Sequence, residues 1–269
     1  MTQLAGYWAN ARAGRLTTAT IGWFVRRYGV DMAEALQPDI AAYASFNDFF
    51  TRALRPGARP IAPAPLTCPV DGAVSQLGRI AQGSILQAKG HTYTAQALLG
   101  GGAALAARFD GGSYITLYLS PRDYHRIHMP CRGRLTHMTY IPGSLFSVNP
   151  VTARNVPGLF ARNERVVCLF ETGLGTMALV LVGATIVGSM CTVWHGHVNP
   201  PRSGRLCHWD YSQEQITLSQ GEEMGRFQLG STVIALLPEG AVDWPADWIS
   251  GRAVRMGEAM ARGPQDQRL

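Results

Sequence analysis

The chain predicts an α+β fold: a mostly β domain that carries an N-terminal amphipathic helical segment. Three observations lead there. Apolar residues recur at helical spacing near the start of the chain, whereas short β-branched runs broken by Gly and Pro fill the remainder from Ile61. The 269 residues, 46% hydrophobic and 16% charged, are enough to bury a proper core.

Between residues 17 and 28, Ile21, Phe24, Val25 and Tyr28 recur at helical spacing, with Trp23 alongside and Arg26 and Arg27 near the end. Such a helix either packs its apolar face on the core or lies on a membrane surface, with aromatics at the acyl boundary and arginines at the headgroups. Tyr7, Trp8, Arg12 and Arg15 stand just upstream. The candidate membrane-binding residues are Trp23, Phe24, Arg26 and Arg27. Ser45-Phe46-Asn47-Asp48 has the form of a capping box, which puts Phe49 and Phe50 on a short helix ending before Pro56-Gly57. Residues 1–60 therefore read as a helical, membrane-associating segment and residues 61–269 as a β-rich catalytic domain. Strands are expected at 73–80, 114–119, 135–141, 166–171, 177–187 and 232–237, with helical excursions around 95–109 and at 157–162. The longest apolar stretch, 177–190, is interrupted by Gly183, Thr185, Gly188 and Ser189 and falls short of the ~20 residues a bilayer span needs, so it reads as buried strand.

A formal charge of +6, almost wholly from arginine because Lys89 is the only lysine, favours anionic partners. No basic run and no interleaved basic-aromatic patch is present, so nucleic acid is not the expected partner and acidic lipid is. Five scattered cysteines without a Cys-x-x-Cys pair fit reduced thiols, and the N-terminus lacks the pattern of a secretory signal, which places the expected location in the cytoplasm.

Three polar features stand out. Asp71 sits in the turn Pro69-Val70-Asp71-Gly72, leading directly into a strand. His125 and His128 lie in Ser120-Pro121-Arg122-Asp123-Tyr124-His125-Arg126-Ile127-His128 and would point the same way on a helix. As a metal pair they lack a third ligand at the usual spacing, and Arg122 and Arg126 would repel a cation, so no metal is expected; taken alone they read as ordinary surface or core residues, with general acid–base work as the alternative. Gly230-Ser231 precedes an apolar run, and a glycine carbonyl is the least shielded acyl carbon a hydroxyl could attack in its own chain. Asp71, His128 and Ser231 supply the ingredients of a carboxylate–imidazole–hydroxyl relay, although no spacing brings them together.

Taken as a set, the motifs resemble the bacterial membrane-type phosphatidylserine decarboxylases. The matching runs are Leu4-Ala5-Gly6, Arg12-Ala13-Gly14, Phe46-Asn47-Asp48-Phe49-Phe50, Leu86-Gln87-Ala88-Lys89-Gly90-His91, residues 118–131, Gly143-Ser144-Leu145-Phe146-Ser147-Val148-Asn149, Leu159-Phe160-Ala161-Arg162-Asn163-Glu164-Arg165, residues 182–189 and Leu229-Gly230-Ser231-Thr232. The turn reads Pro-Val-Asp-Gly where the family pattern has Pro-Ala-Asp-Gly, and the tail after Leu237 is short; neither touches a reactive atom.

The resemblance implies a proenzyme that makes its own cofactor. His128, held by Asp71, deprotonates Ser231, whose oxygen attacks the Gly230 carbonyl; β-elimination then frees a β chain 1–230 and an α chain 231–269. Residue 231 becomes a pyruvoyl group and the Schiff-base site for phosphatidylserine, which is decarboxylated to phosphatidylethanolamine with His125 as proton donor. The implied partners are phosphatidylserine in an anionic membrane and the two chains of one precursor, with a dimer of αβ units as the assembly open to it. The implied location is peripheral, on the cytoplasmic face of the cell membrane. Three alternatives stay open: a soluble pyruvoyl amino-acid decarboxylase, an uncleaved serine hydrolase, and a membrane-binding protein. A pyridoxal enzyme would have only Lys89 for its internal aldimine.

Overall fold

A computed structural model describes residues 9–88, 90–185, 189–198, 204–228 and 231–261. Tyr7, Trp8, Lys89 and Gly230 lie outside the described residues. The expected mostly β architecture with a few helices is what the chain adopts.

In chain order the strands are β1 (Leu66–Thr67), β2 (Gly72–Arg79), β3 (Ser84–Ala88), β4 (His91–Thr94), β5 (Ser113–Leu119), β6 (Arg126–His128), β7 (Gly133–Ile141), β8 (Arg165–Thr172) and β9 (Gly175–Gly183). They continue as β10 (Ser189–Thr192), β11 (Gly196–His197), β12 (Cys207–Asp210), β13 (Thr217–Leu218), β14 (Glu223–Gln228), β15 (Ser231–Leu237), β16 (Ala253–Val254) and β17 (Ala259–Ala261). The main sheet has nine strands. It runs β12-β7-β8-β9-β15-β5-β2-β16, with β13 also on β7, and its pairings are antiparallel.

The central strands read as unbroken apolar runs because both faces of the sheet are covered. Val233, Ala235 and Leu237 of β15 join one core cluster, together with Leu179 and Leu181 of β9; Ile234 and Leu236 join the other, together with Val180 and Val182. A second sheet, ordered β11-β10-β14-β6, contributes Met190, Phe227 and Ile127 to the first cluster. Ser231 shares the parity of Val233, so its side chain projects toward that smaller sheet.

The N-terminal helix, Arg15–Tyr28, ends at Gly29, whose left-handed backbone (φ 66°) is the usual C-terminal stop. Ser45 caps the Phe46–Phe50 helix by accepting from the Asp48 amide, as its capping box predicts. The two helices bury Ile21, Phe24, Phe46, Phe49 and Phe50 against one another in a core separate from those of the sheets. Phe24 meets Phe46, Phe49 and Phe50 at ring distances of 5.1, 5.9 and 6.1 Å. This corrects one expectation: Phe24 faces protein, because its stripe of the helix has an aromatic partner to cover it. Trp23, Arg26 and Arg27 are exposed, and Leu16 lies one heptad before Trp23 on the same side. Among the described residues, no helix is long and apolar enough to cross a membrane.

Candidate active site

Ser231 opens β15 at the centre of the main sheet, opposite Gly183 of β9 and Leu119 of β5. It is fully buried, and its hydroxyl has no hydrogen-bond partner among the described residues. A buried hydroxyl left unpaired costs free energy, and the hydroxyls of Tyr93, Thr116 and Thr232 share this state. Asn163 fixes the wall beside it: its amide nitrogen donates to the carbonyls of Gly183 and Phe146, so one buried side chain ties the loop after Gly143 to the strand facing Ser231.

His128 ends strand β6 and His125 immediately precedes that strand, so the helical turn that would bring the two rings onto one face is absent. The β6–β14 ladder sets their relation to Ser231. The Phe227 amide donates to the His125 carbonyl, whereas His128 stands opposite Glu223. The end of β14 that leads to the Gly230–Ser231 junction therefore lies beside His125, and His128 is about 10 Å further along the ladder.

His125 is fully buried with its ring against Phe50, centroids 4.1 Å apart. Its Nδ1–H donates to the Asp123 carbonyl at 2.7 Å, which leaves Nε2 as the basic atom, unpartnered among the described residues. Burial pushes its pKa down to about 3, so the ring is neutral at physiological pH. The stability linkage has a definite sign. Between pH 6.5 and 3 the unfolded chain takes up a proton that the folded chain refuses, so stability is full above 6.5 and falls with pH below it, by about 1.4 kcal/mol per pH unit. Denaturant titrations of wild type and His125→Asn across that window should differ in slope by roughly this amount; parallel curves would show that the ring is not buried neutral.

His128 is paired on both nitrogens. Nδ1–H donates to the Gly221 carbonyl at 2.8 Å, and Nε2 accepts from the Tyr124 hydroxyl at 2.9 Å. Burial lowers its pKa, against the pull of the Gly221 carbonyl and of nearby Glu223. Tyr124 was not singled out from sequence, although its position four residues before His128 was the available signal.

Asp71 lies close enough to His128 for its charge to act on the ring, and the His128 amide donates to the Pro69 carbonyl of the same turn. Its carboxylate is nonetheless committed elsewhere. Arg59 donates Nε to Oδ1 at 3.0 Å and Nη2 to Oδ2 at 2.6 Å, and the Met256 amide donates at 2.9 Å. Arg59 also reaches Glu34 at 2.6 Å. Gly72 allows this turn to press on β5, since any side chain there would collide with the Tyr118 carbonyl. The structure thus sets Asp71 beside His128 without a hydrogen bond between them, and joins neither of them to Ser231.

A polar cleft of about 460 Å³ opens over this region, lined by Asp71, Arg59, Tyr124, Arg52 and Arg122 among others. The lining mixes both signs of charge: Arg52, Arg59, Arg122 and Arg255 stand among Asp31, Glu34, Asp71, Asp123 and Glu258.

A family model described as phosphatidylserine decarboxylase matches residues 46–262. The chain belongs to the phosphatidylserine decarboxylase family. A further model, described as PSD, matches residues 1–29. Similar proteins include the phosphatidylserine decarboxylase proenzyme of Acidovorax ebreus (strain TPSY), 69% identical over 261 residues, 97% of this chain and 92% of the relative. Those of Methylibium petroleiphilum and Verminephrobacter eiseniae are 67% and 64% identical over 264 and 265 residues, each across 93% of the relative. The expectations of an enzyme, of decarboxylase type and made as a proenzyme, agree with this membership.

Proposed function

We propose that this chain cuts itself between Gly230 and Ser231 and then decarboxylates phosphatidylserine to phosphatidylethanolamine and CO2, using a pyruvoyl group formed from Ser231. The observation that carries the reading is the buried, unpartnered Ser231 hydroxyl at the start of the central strand of a chain in this family. In the self-cleavage, the Ser231 oxygen displaces the amide nitrogen at the Gly230 carbonyl, giving an ester. Elimination then frees the Gly230 carboxylate, and hydrolysis releases the nitrogen of residue 231 as ammonia. Asp71 and His128 serve this step, as the resemblance implies.

A carbonyl at position 231 supplies the electrophile that takes the substrate amine and accepts the electrons released with CO2. The residues present fit it: Gly183 opposite adds no side chain, and the free Nε2 of His125 belongs to the segment that pairs beside the junction. His125 relays through Nε2, without holding it, the proton released when the substrate amine condenses, and passes it to the carbon that has lost CO2. Intact mass of the purified chain under denaturing conditions, together with chromatography of lipid product, tests the reading; an active preparation that remains one unmodified polypeptide rejects it.

We assign residues 1–60 to docking on the anionic cytoplasmic leaflet and residues 61–269 to catalysis. The exposed strip Leu16, Trp23, Arg26 and Arg27 supports the docking role, each basic residue near the surface adding about 1 kcal/mol. Trp23→Glu combined with Arg26→Glu and Arg27→Glu should cut co-sedimentation with anionic vesicles at least about tenfold while leaving self-cleavage unchanged. Phe24→Asp should instead lower thermal stability, by about 3 kcal/mol or more, because it buries a charge among phenyl rings. Undiminished vesicle binding by the triple variant would reject docking through this helix.

A further inference from the structure

The Phe46–Phe50 helix and the segment that follows it bring two residues to this region. Phe50 packs its ring at a tilt against His125, and Arg52, two residues on, lines the polar cleft with Tyr124. Arg52 is only 5% exposed, lies over the Phe49 ring at 5.3 Å, and makes one long hydrogen bond, Nη2 to the Arg122 carbonyl at 3.4 Å. Its Nε is buried with no partner, and no carboxylate lies within ion-pair reach of it among the described residues.

The acidic groups of the cleft are satisfied by other donors. Asp71 is held by Arg59 and the Met256 amide, and Glu34 by Arg59 and Arg255. Asp123 accepts from the Ser120 amide and hydroxyl, Glu258 from Arg252, and Asp31 from the Ala33 amide. Asp71 and Glu34 act on Arg52 only through their charge, without an ion pair; a buried guanidinium with no direct counter-ion is costly unless an anion completes it, and its planar fork suits a phosphate.

We infer that Arg52 binds the phosphodiester of the phospholipid headgroup, anchoring the substrate with its amine toward residue 231; the inference rests on the function proposed above. The headgroup's other anion is its carboxylate. A guanidinium paired to that group would stabilise the charge the reaction must discharge and so raise the barrier. The phosphodiester keeps its charge throughout and is present in the product as well.

The test uses matured wild-type, Arg52→Gln and Arg52→Lys enzymes with water-soluble short-chain phosphatidylserine, and short-chain phosphatidylethanolamine as competing product. Arg52→Gln should raise KM about 10- to 100-fold, the scale of a lost hydrogen bond to a charged group, with kcat changed far less. The inhibition constant for phosphatidylethanolamine, which has the phosphodiester and no carboxylate, should rise in parallel. Arg52→Lys should cleave normally and show an intermediate rise in both constants, and this variant carries the test if Arg52→Gln does not mature. A raised KM with an unchanged inhibition constant would assign Arg52 to the carboxylate and overturn the proposal. A lowered melting temperature with both constants unchanged would make Arg52 a packing residue and overturn it equally. Wild-type enzyme inert toward phosphatidylserine would instead refute the function; the shift in melting temperature caused by phosphatidylethanolamine, compared between wild type and Arg52→Lys, would then still read Arg52.

Discussion

Ser231→Ala should remain a single chain of 269 residues and lose decarboxylation by at least about 10³-fold, because the substitution removes both the nucleophile and the precursor of the electrophile. Wild type should run as two fragments, with the smaller, residues 231–269, lacking a free amino group at its start. The variant should fold at least as well as wild type. The Ser231 hydroxyl is buried and bonds to none of the described residues, so deleting it relieves an unpaired polar group and leaves a space of only one oxygen. Loss of cleavage with an unchanged or raised melting temperature therefore separates chemistry from packing. Residual cleavage at the same bond in Ser231→Ala would reject the hydroxyl as the attacking group.

What the chain's pattern made legible, and what it did not, divides along physical lines. β15 and β9 were readable because both faces are buried, so consecutive Val, Leu and Ile mark them without any need for alternation. The capping box at Ser45 was readable because capping is a contact between residues three apart. β6 and β14 escaped notice: β6 is three residues long with a polar residue at each end, and the irregular pairing between Glu223 and Gly225 breaks the period of β14. Ser231, His125, His128 and Asp71 were each visible as residue types in unusual settings. Their partners were not, because Arg59 reaches Asp71 from a loop and Phe50 reaches His125 from a helix remote in sequence, contacts that no local spacing encodes. The buried face of Phe24 was hidden for the same reason, since a stripe destined for lipid and one destined for Phe46 and Phe49 have the same periodicity.

The histidines should fail at different stages of the enzyme's life. His125→Ala should still cleave appreciably yet lose decarboxylation by about 10²- to 10⁴-fold, the range of a lost acid–base group, because its free Nε2 and neutral ring suit it to shuttle the substrate's proton. His128→Ala should block cleavage, as should Asp71→Ala. For Asp71 the measurement must exclude a trivial cause. Removing its carboxylate strands Arg59, whose side chain is 5% exposed, and loss of one partner of a buried ion pair typically costs about 3–5 kcal/mol. Asp71→Asn keeps the shape of the turn, and Glu34 still meets Arg59, so its melting temperature should fall less than that of Asp71→Ala while cleavage stays blocked. Tyr124→Phe probes the contact that His128 actually makes: it frees Nε2 while leaving the hydrogen bond to Gly221 in place. If the Tyr124 hydroxyl only parks the ring, cleavage should quicken or hold; if it passes the proton, cleavage should slow as in His128→Ala. Time courses of fragment formation, read beside melting temperatures, distinguish these outcomes, and equal loss of cleavage and decarboxylation in His125→Ala would overturn the division of labour between the two rings.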